Sequence, residues 1–416
     1  MCSKAISYNP ITTSLNPKIK INFGFLLKIE LRLVNLRLMS EDSNSIKTLN
    51  KPKQRLIFID IARSIAILLM LEGHFVDDSL MLEYRDPNNL LYSTWLFIRG
   101  FTSPTFLTVT GIVFVYLLLG NSHIDYFKNN RVKKGYKRFI ELLFWGYLLQ
   151  YYAFHVLQCI GVGIFTILII YGIYRLVKVI PLWIYFFILG TLIFSSYLFF
   201  GSLPKDFYWP QNYPMFIQNM FHGKYSIFPI LPTMGYTLYG AMFGTLLFTY
   251  KENVKKWSFI IITLTSGLVL FFFSKDILVY FDQKVLMNTN YHIYTLDWLY
   301  ECLGMVLIVL SILIIIEKLF KEIKPNLFIK IGQNTLTIYI LHMIVLYGSI
   351  SGYGLNKLFH HNLTPYQLFP ALFGFMTLFI IIIYFIDKIK DKLSFILSPI
   401  RKVTNKPFGI AEKAVK

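Results

Sequence analysis

The segment from Arg55 to His74 combines the hydrophobicity of a membrane helix with ionisable side chains. Asp60, Arg63, Glu72 and His74 all lie within RLIFIDIARSIAILLMLEGH. A charged group at the centre of a membrane helix costs at least ~2.5–3.5 kcal/mol, so such residues face the protein interior and serve a function there. Eleven helical steps of ~100° bring Arg63 and His74 to within about 20° of one face, roughly 16 Å apart along the axis. The spacing predicts a polar stripe from an arginine to a histidine.

The histidine end of this stripe carries residue types that suit proton transfer. A histidine can act as a general base on a hydroxyl or an amine. Asp77 follows His74 by three residues, and its carboxylate can orient an imidazole. His342 lies at a matching depth in a later span, which predicts a shared polar cavity. We predict His74, Asp77 and His342 as catalytic residues; snorkelling of His74 to the lipid headgroups is the alternative.

The arginine half of the stripe is suited to bind an anionic group or a carbonyl. An arginine offers a planar fork of donors to phosphate, and Asp60 is close enough in sequence to pair with Arg63. The predicted cofactor-binding residues are Asp60, Arg63, Asn334 in a later span, and Arg131 and Lys134 in a basic loop. The alternatives are that Asp60 and Arg63 only neutralise each other, and that the basic loop only sets topology and contacts anionic lipids.

Four further polar residues in or at the ends of other spans are predicted to contact the second substrate. Arg99 begins the second span, where snorkelling is the alternative. His155 and Gln158 lie in HVLQCIGVG, whose glycines alternatively serve only close helix packing. Glu301 lies within a span and should face the interior of the bundle.

These residue types suit acyl transfer from a thioester. The reaction needs a base, donors for the developing oxyanion and a dry tunnel, and it needs no metal. The sequence has no Ser-His-Asp arrangement, zinc-ligand spacing or glycine-rich phosphate loop. The main alternative is a proton-coupled small-molecule transporter with a relay of His74, Glu301 and His342. A scaffold protein is the third option, but it would leave the intramembrane ionisable residues unexplained.

The whole chain has the composition of a polytopic membrane protein. Its 416 residues are 55% hydrophobic and only 15% charged, and the mean hydropathy is +0.55; a soluble domain carries about 25% charge. The net charge of +19 would suit nucleic-acid binding, but the basic residues lie between hydrophobic segments, as in cytoplasmic loops. We therefore expect no nucleic-acid partner. The apolar runs predict an all-α bundle of about ten transmembrane helices, at 56–75, 95–119, 137–153, 155–175, 181–200, 228–249, 257–274, 297–316, 327–350 and 365–387.

The charges of the connections orient this bundle. Every second connection is basic and the loop after the first span is acidic, which predicts both termini in the cytoplasm. The predicted transmembrane domain is 55–390, flanked by basic tails at 1–54 and 391–416, and Met39 is an alternative start. We expect a multi-pass protein of the plasma (inner) membrane, in contact with the lipid bilayer, and leave a homodimer open.

Five segments resemble one family of membrane enzymes. DIARSIAILLMLEGH resembles the first span of the transmembrane acyltransferase superfamily, with Arg63 and His74 spaced as in its Arg–(ten residues)–His motif. The segments FIRGFTSPTFLTVTGIVFVYLL, HVLQCIGVG, FPILPTMGYTLYGAMFG and GQNTLTIYILH are similar to later motifs of the heparan-alpha-glucosaminide N-acetyltransferase catalytic-domain family, in the expected order. One departure is Ser64, where the family usually has glycine, which could tighten the packing there.

The resemblance implies that His74 is catalytic and that acetyl-CoA or another acyl-CoA is the donor. We expect the acceptor to be a hydroxyl or amine of an extracytoplasmic carbohydrate or glycolipid. Heparan itself is not carried over, because the family includes many members whose acceptor is unknown. The prolines and glycines of FPILPTMGYTLYG also predict a distorted helix that lines a cavity.

Overall fold

The computed structural model describes residues 56–150, 153–285, 293–320, 327–348 and 353–388. The predicted tails at 1–54 and 391–416, together with Met39, lie outside the described residues. Within the described ranges the backbone forms helices joined by turns and by isolated bridges such as that of Leu80 with Leu363. The predicted all-α class is confirmed.

The helices are numbered in chain order. They are α1 (Ile57–Ser79), α2 (Leu90–Gly100), α3 (Thr102–Leu119), α4 (Asn130–Leu149), α5 (Val156–Val177), α6 (Leu182–Ser195), α7 (Tyr197–Phe200), α8 (Met215–Phe221), α9 (Ile230–Thr249), α10 (Trp257–Lys284), α11 (Asp297–Leu319), α12 (Leu327–Gln333), α13 (Thr335–Tyr347), α14 (Asn356–Phe359) and α15 (Pro365–Tyr384).

Several of these helices indicate a multi-pass membrane protein. In the described ranges, six helical segments are long and apolar enough to cross a membrane, or seven if the bent pair α12 and α13 is one span. The predicted count of ten is not confirmed. Helices also occupy the predicted first, third and sixth spans, but α1 and α4 carry several charged residues and α9 is rich in glycine, threonine and tyrosine. The six segments are Leu90–Leu119, Val156–Val177, Leu182–Phe200, Trp257–Lys284, Ile293–Leu319 and Pro365–Tyr384.

Helix α1, which carries the polar stripe, is anchored at its first turn by a distant carboxylate. Leu56 at the N-cap offers no side-chain cap, and the first N–H groups of a helix need acceptors. The backbone N–H of Phe58 donates to Oε2 of the buried Glu317 on α11 over 2.6 Å. Lys255 Nζ lies 2.9 Å from Oε1 of the same carboxylate. The negative charge also complements the positive end of the helix dipole.

Close packing against α12 holds the N-terminal half of α1. Gly332 lies so near to the backbone of Asp60 and the side chain of Ser64 that a Cβ would clash there. The Ser64 hydroxyl accepts a hydrogen bond from the Gly332 N–H at 2.9 Å and lies 2.6 Å from the Phe328 carbonyl oxygen, to which it can donate. The Ser64 hydroxyl therefore joins α1 to α12; that it tightens the packing relative to a glycine stays a prediction.

Helical segments are interrupted by a bend between α12 and α13 and by a break inside α9. Helices α12 and α13 meet at an angle of 83°, and Asn334 occupies the bend with non-helical backbone angles. Helix α9 contains a non-helical residue at Leu231, immediately before Pro232. The distortion predicted for this proline-containing segment is confirmed. Beyond the break, Gly240 allows α9 to approach the backbone of Thr108 on α3 closely.

Candidate active site

Helix α13 surrounds His74 with aromatic and imidazole rings. The ring centroids of His74 and His342 are 5.3 Å apart, with an interplanar angle of 30°. The hydroxyl of Tyr347 lies 3.2 Å from Nδ1 of His74, and the two rings meet edge to face. Tyr339 packs edge to face on His342 at 4.8 Å. The structure thus brings together two of the three residues predicted to be catalytic.

His342 is fully buried without a hydrogen-bond partner of ordinary geometry among the described residues. The backbone groups of Ile338 and Tyr339, one turn earlier on the same helix, interact with its imidazole. A buried polar group without a partner costs about 1–3 kcal/mol. Beside His74, His342 therefore keeps hydrogen-bonding capacity that none of the described residues uses with ordinary geometry.

His155 and Gln158 form the start of α5. The backbone N–H of His155 donates to Gln158 Oε1 over 3.0 Å, and Gln158 Nε2 donates to the Ala153 carbonyl over 3.1 Å. Gly146 on α4 leaves the space that the Gln158 amide fills. His155 lines a narrow crevice together with Tyr339, whose ring contacts His342. Gln158 thus holds the start of α5, while the substrate contacts of both residues stay a prediction.

The carboxylate of Asp77 lies next to two arginine side chains. Its Oδ2 lies 2.5 Å from Arg99 Nη2, and its Oδ1 lies 4.0 Å from Arg85 Nη1. The group found on Nδ1 of His74 is the Tyr347 hydroxyl, whereas the sequence suggested a carboxylate for that place. Asp77 and Arg99 therefore form an ion pair with each other. The catalytic role of Asp77 and the substrate contact of Arg99 stay predictions.

Glu72 and Glu301 are two further carboxylates on helices of the bundle, and their surroundings differ from each other. Glu72 Oε1 accepts a hydrogen bond from Trp95 Nε1 over 2.6 Å, which ties α1 to α2. Glu301 lies on α11, one turn after Asp297, and is partly exposed. A role of Glu301 in binding a substrate stays a prediction.

A cavity of about 160 Å³ lies beside Arg63. Arg63 Nη2 donates to Thr335 Oγ1 over 3.1 Å, which joins α1 to the start of α13. Arg138 enters the same wall from α4 and pairs with Glu141 over 3.1 Å. The other lining residues are uncharged and mostly apolar: Phe106, Thr110, Val113, Phe114, Leu117, Leu142, Leu157, Ile160, Ile164, Thr335, Leu336 and Tyr339.

Leu157 and Tyr339 connect this cavity to the histidines. Both residues also line a narrow crevice that contains His155. Tyr339 in turn contacts the ring of His342. Tyr339 therefore lies between the cavity that Arg63 borders and the ring of His342.

The other predicted cofactor-binding residues are not among those that line the cavity. Arg131 is in the first turn of α4, and Lys134 is exposed on that helix. The Asn334 side-chain amide donates to the backbone carbonyl one turn earlier over 2.8 Å, at the bend before α13. The Asp60 backbone is in the tight contact with α12. Binding of a cofactor by any of these residues stays a prediction.

Sequence reasoning did not assign two residues that the structure brings to the site. Arg138 was visible only as one charge of a basic loop, although Lys134 precedes it by one helical turn and so shares its face. Tyr347 gave no signal, because its contact with His74 joins residues 273 positions apart.

The family model of the heparan-alpha-glucosaminide N-acetyltransferase catalytic domain matches residues 55–285. This range is more than half of the 416 residues and contains Arg63, His74, Arg138 and His155. The chain belongs to this family. The resemblance inferred from the motifs is therefore confirmed. A comparison with curated proteins gives no match.

Family membership implies a membrane-bound acetyltransferase and does not favour the transporter alternative. The matched range ends before α13, so His342 and Tyr347 lie beyond it. Within the part of the chain that the structure describes, no group of three or more His, Cys, Asp or Glu side chains is arranged to hold a metal ion. A reaction without a metal stays a prediction.

Proposed function

We propose that the protein transfers an acetyl or other short acyl group from cytoplasmic acyl-CoA to a hydroxyl or amine of an extracytoplasmic sugar or glycolipid. The observation that carries the proposal is the contact of His74 with Tyr347 and His342 in a chain of this acetyltransferase family. Tyr339, which contacts His342, also lines the cavity that Arg63 borders. The proposed location is the plasma (inner) membrane, and a homodimer stays open.

His74 is the proposed general base. When its Nδ1–H donates to the Tyr347 oxygen over the observed 3.2 Å, its Nε2 keeps the lone pair that a base needs. The partner on one ring nitrogen fixes the tautomer, and so decides which nitrogen can accept a proton. The edge-to-face contact between the two rings supports the same orientation.

The proposed reaction transfers one proton and exchanges one bond. His74 takes the proton from the acceptor hydroxyl or amine, and the acceptor atom attacks the carbonyl carbon of the thioester. The carbon–sulfur bond then breaks, and the proton on His74 passes to the leaving thiolate. A covalent acyl-histidine intermediate is the alternative. CoA release from the enzyme without an acceptor would favour that route.

Two features support donor and acceptor on opposite sides of the membrane. Arg63 lies in the N-terminal half of α1 and His74 in its C-terminal half, which are the inner and outer halves in the predicted orientation. The segment 201–227 is tied to the start of α5, because the Phe154 N–H donates to the Tyr225 carbonyl beside His155. Partly exposed rings of this segment, those of Trp209 and Tyr225, are suited to stack on a sugar.

The reaction is tested with purified protein and labelled acetyl-CoA. The proposal expects CoA release that depends on an acceptor, together with transfer of the label to at least one member of a panel of sugars and glycolipids. No release across a broad acceptor panel would contradict the proposed activity. The same panel, run with longer acyl-CoA donors, measures the preference for acyl chain length.

The direction is tested in sealed vesicles of known orientation. Acyl-CoA is supplied on the face that carries the basic loop, and the acceptor is supplied on the opposite face. The proposal expects acylation of the acceptor with the donor confined to the basic face. If acylation requires acyl-CoA on the same side as the acceptor, the transmembrane arrangement is wrong, even if His74 proves catalytic.

A further inference from the structure

The cavity beside Arg63 has the charge pattern of an anion site. Its lining contains two guanidinium groups, those of Arg63 and Arg138, and no carboxylate. The remaining wall is uncharged and mostly apolar, so the two guanidinium groups are the charged groups of the lining. Glu141 pairs with Arg138 from outside the lining, and both side chains are more than a third exposed, so the pair is weak.

We propose that Arg138, together with Arg63, binds the phosphate groups of the acyl donor, while the apolar wall holds the arm that leads to the thioester. The identity of the donor rests on the proposed function. Arginine suits this role because its planar fork forms two parallel hydrogen bonds with a phosphate. Arg138 then makes the enzyme specific for a phosphorylated thioester.

The size of the cavity limits what it can hold. Pockets that enclose a drug-sized ligand measure about 300–1,000 Å³, whereas this cavity measures about 160 Å³. It has room for a phosphate and part of a thin chain. The nucleoside of the donor therefore lies outside, along the face of α4 that carries Lys134, one turn before Arg138.

The position of the cavity also fits an extended donor. Arg63 and His74 are roughly 16 Å apart along α1, so a donor held by its phosphates reaches the histidine only through a long, narrow arm. Leu157 and Tyr339 border both the cavity and the crevice with His155. The arm would pass between these side chains, and the ring of Tyr339 must yield to admit it.

The test compares acetyl-CoA with S-acetyl-pantetheine, which is a thioester without phosphates. The Michaelis constant KM for each donor is measured with the full-length protein in nanodiscs. For Arg138→Gln we expect the KM for acetyl-CoA to rise about ten- to hundred-fold, while the KM for S-acetyl-pantetheine stays unchanged. The control Lys137→Gln removes the same charge from an exposed neighbouring side chain, and both constants should stay unchanged. An equal rise for both donors, or the same effect in the control, overturns the proposal.

A phosphate on a lipid headgroup has the same local chemistry, so the measurements are repeated with and without phosphatidylglycerol. If the effect of Arg138→Gln appears only with the anionic lipid, the cavity binds a headgroup and the donor assignment is wrong. If Arg138→Gln does not fold, Arg138→Lys carries the comparison, because it keeps the charge and loses the fork.

Binding of labelled CoA to His74→Ala, measured by equilibrium dialysis, separates the two proposals. We expect this binding, and we expect its loss on adding Arg138→Gln. If binding follows that pattern but the wild-type protein transfers no acyl group, the proposed function fails and the phosphate site stands. If transfer occurs but CoA binding does not depend on Arg138, only the phosphate site fails.

Discussion

Replacing Tyr347 by phenylalanine removes one oxygen from the neighbourhood of His74 and leaves the aromatic ring in place. The edge-to-face contact of the two rings, at 6.1 Å between centroids, is kept. The hydrogen bond of 3.2 Å to Nδ1 is lost. If Tyr347 orients the imidazole and sets its tautomer, the variant should bind both substrates normally and react more slowly.

The size of the effect follows from the bond that is removed. A hydrogen bond between neutral groups contributes about 0.5–1.5 kcal/mol, which corresponds to a fall in kcat of about two- to thirteen-fold. Loss of the general base itself lowers the rate by about 10²–10⁴-fold. Tyr347→Phe should therefore lie well above His74→Ala in activity, with the KM of both substrates unchanged.

The assay is steady-state turnover with each substrate varied in turn, together with the pH dependence of kcat. The matched control is Tyr366→Phe, which removes a hydroxyl from a residue that is 91% exposed. In the His74→Ala background, Tyr347→Phe should cause no further loss, because the two side chains act as one unit. An unchanged kcat in Tyr347→Phe would refute the orienting role. A loss as large as that of His74→Ala would mean that Tyr347 takes part in the chemistry itself.

Three further predictions concern other parts of the site. His74→Ala should lower turnover by about 10²–10⁴-fold in a protein that still folds, and normal turnover would eliminate this residue as the base. Arg63→Lys should weaken donor binding because the fork is lost while the charge is kept; unchanged acyl-CoA affinity in both Arg63→Lys and Arg63→Ala would make the residue purely structural. Glu317→Ala should lower the free energy of unfolding by about 1–3 kcal/mol, since the Phe58 N–H loses its acceptor. Thermal denaturation in detergent measures this loss, and equal stability of Glu317→Ala and the exposed control Glu252→Ala would contradict it.

The helical class, the membrane setting and the Arg63–His74 stripe could all be predicted from the sequence, because each depends on local order. A run of about 20 apolar residues is enough to predict a membrane helix, and the helical period places two residues eleven positions apart on one face. The motif residues also predicted the family that the comparison confirms. The distortion at Leu231 was predictable for the same local reason, since proline cannot continue the hydrogen-bond pattern of a helix.

The number of membrane-spanning helices could not be predicted from hydropathy and helical period. A charged helix such as α1 or α4 enters a bundle only if its polar side chains find partners there, and hydropathy alone does not report those partners. The partner of the first turn of α1 is Glu317, which is 259 residues away from Phe58. The bend of 83° between α12 and α13 lies within a segment that reads as one continuous span.

The composition of the site was decided by tertiary packing. The approach of α13 to α1 places the Tyr347 hydroxyl on His74, while Asp77, its near neighbour in sequence, pairs with Arg99. In the same way, the packing of α4 against neighbouring helices places Arg138 in the lining of the cavity, whereas Lys134 on the same helix stays exposed. The sequence determined which polar residues share one face of α1, because neighbours in a helix follow its period. Only the folded chain could decide which side chains from other helices meet them, because those contacts depend on how separate helices pack together.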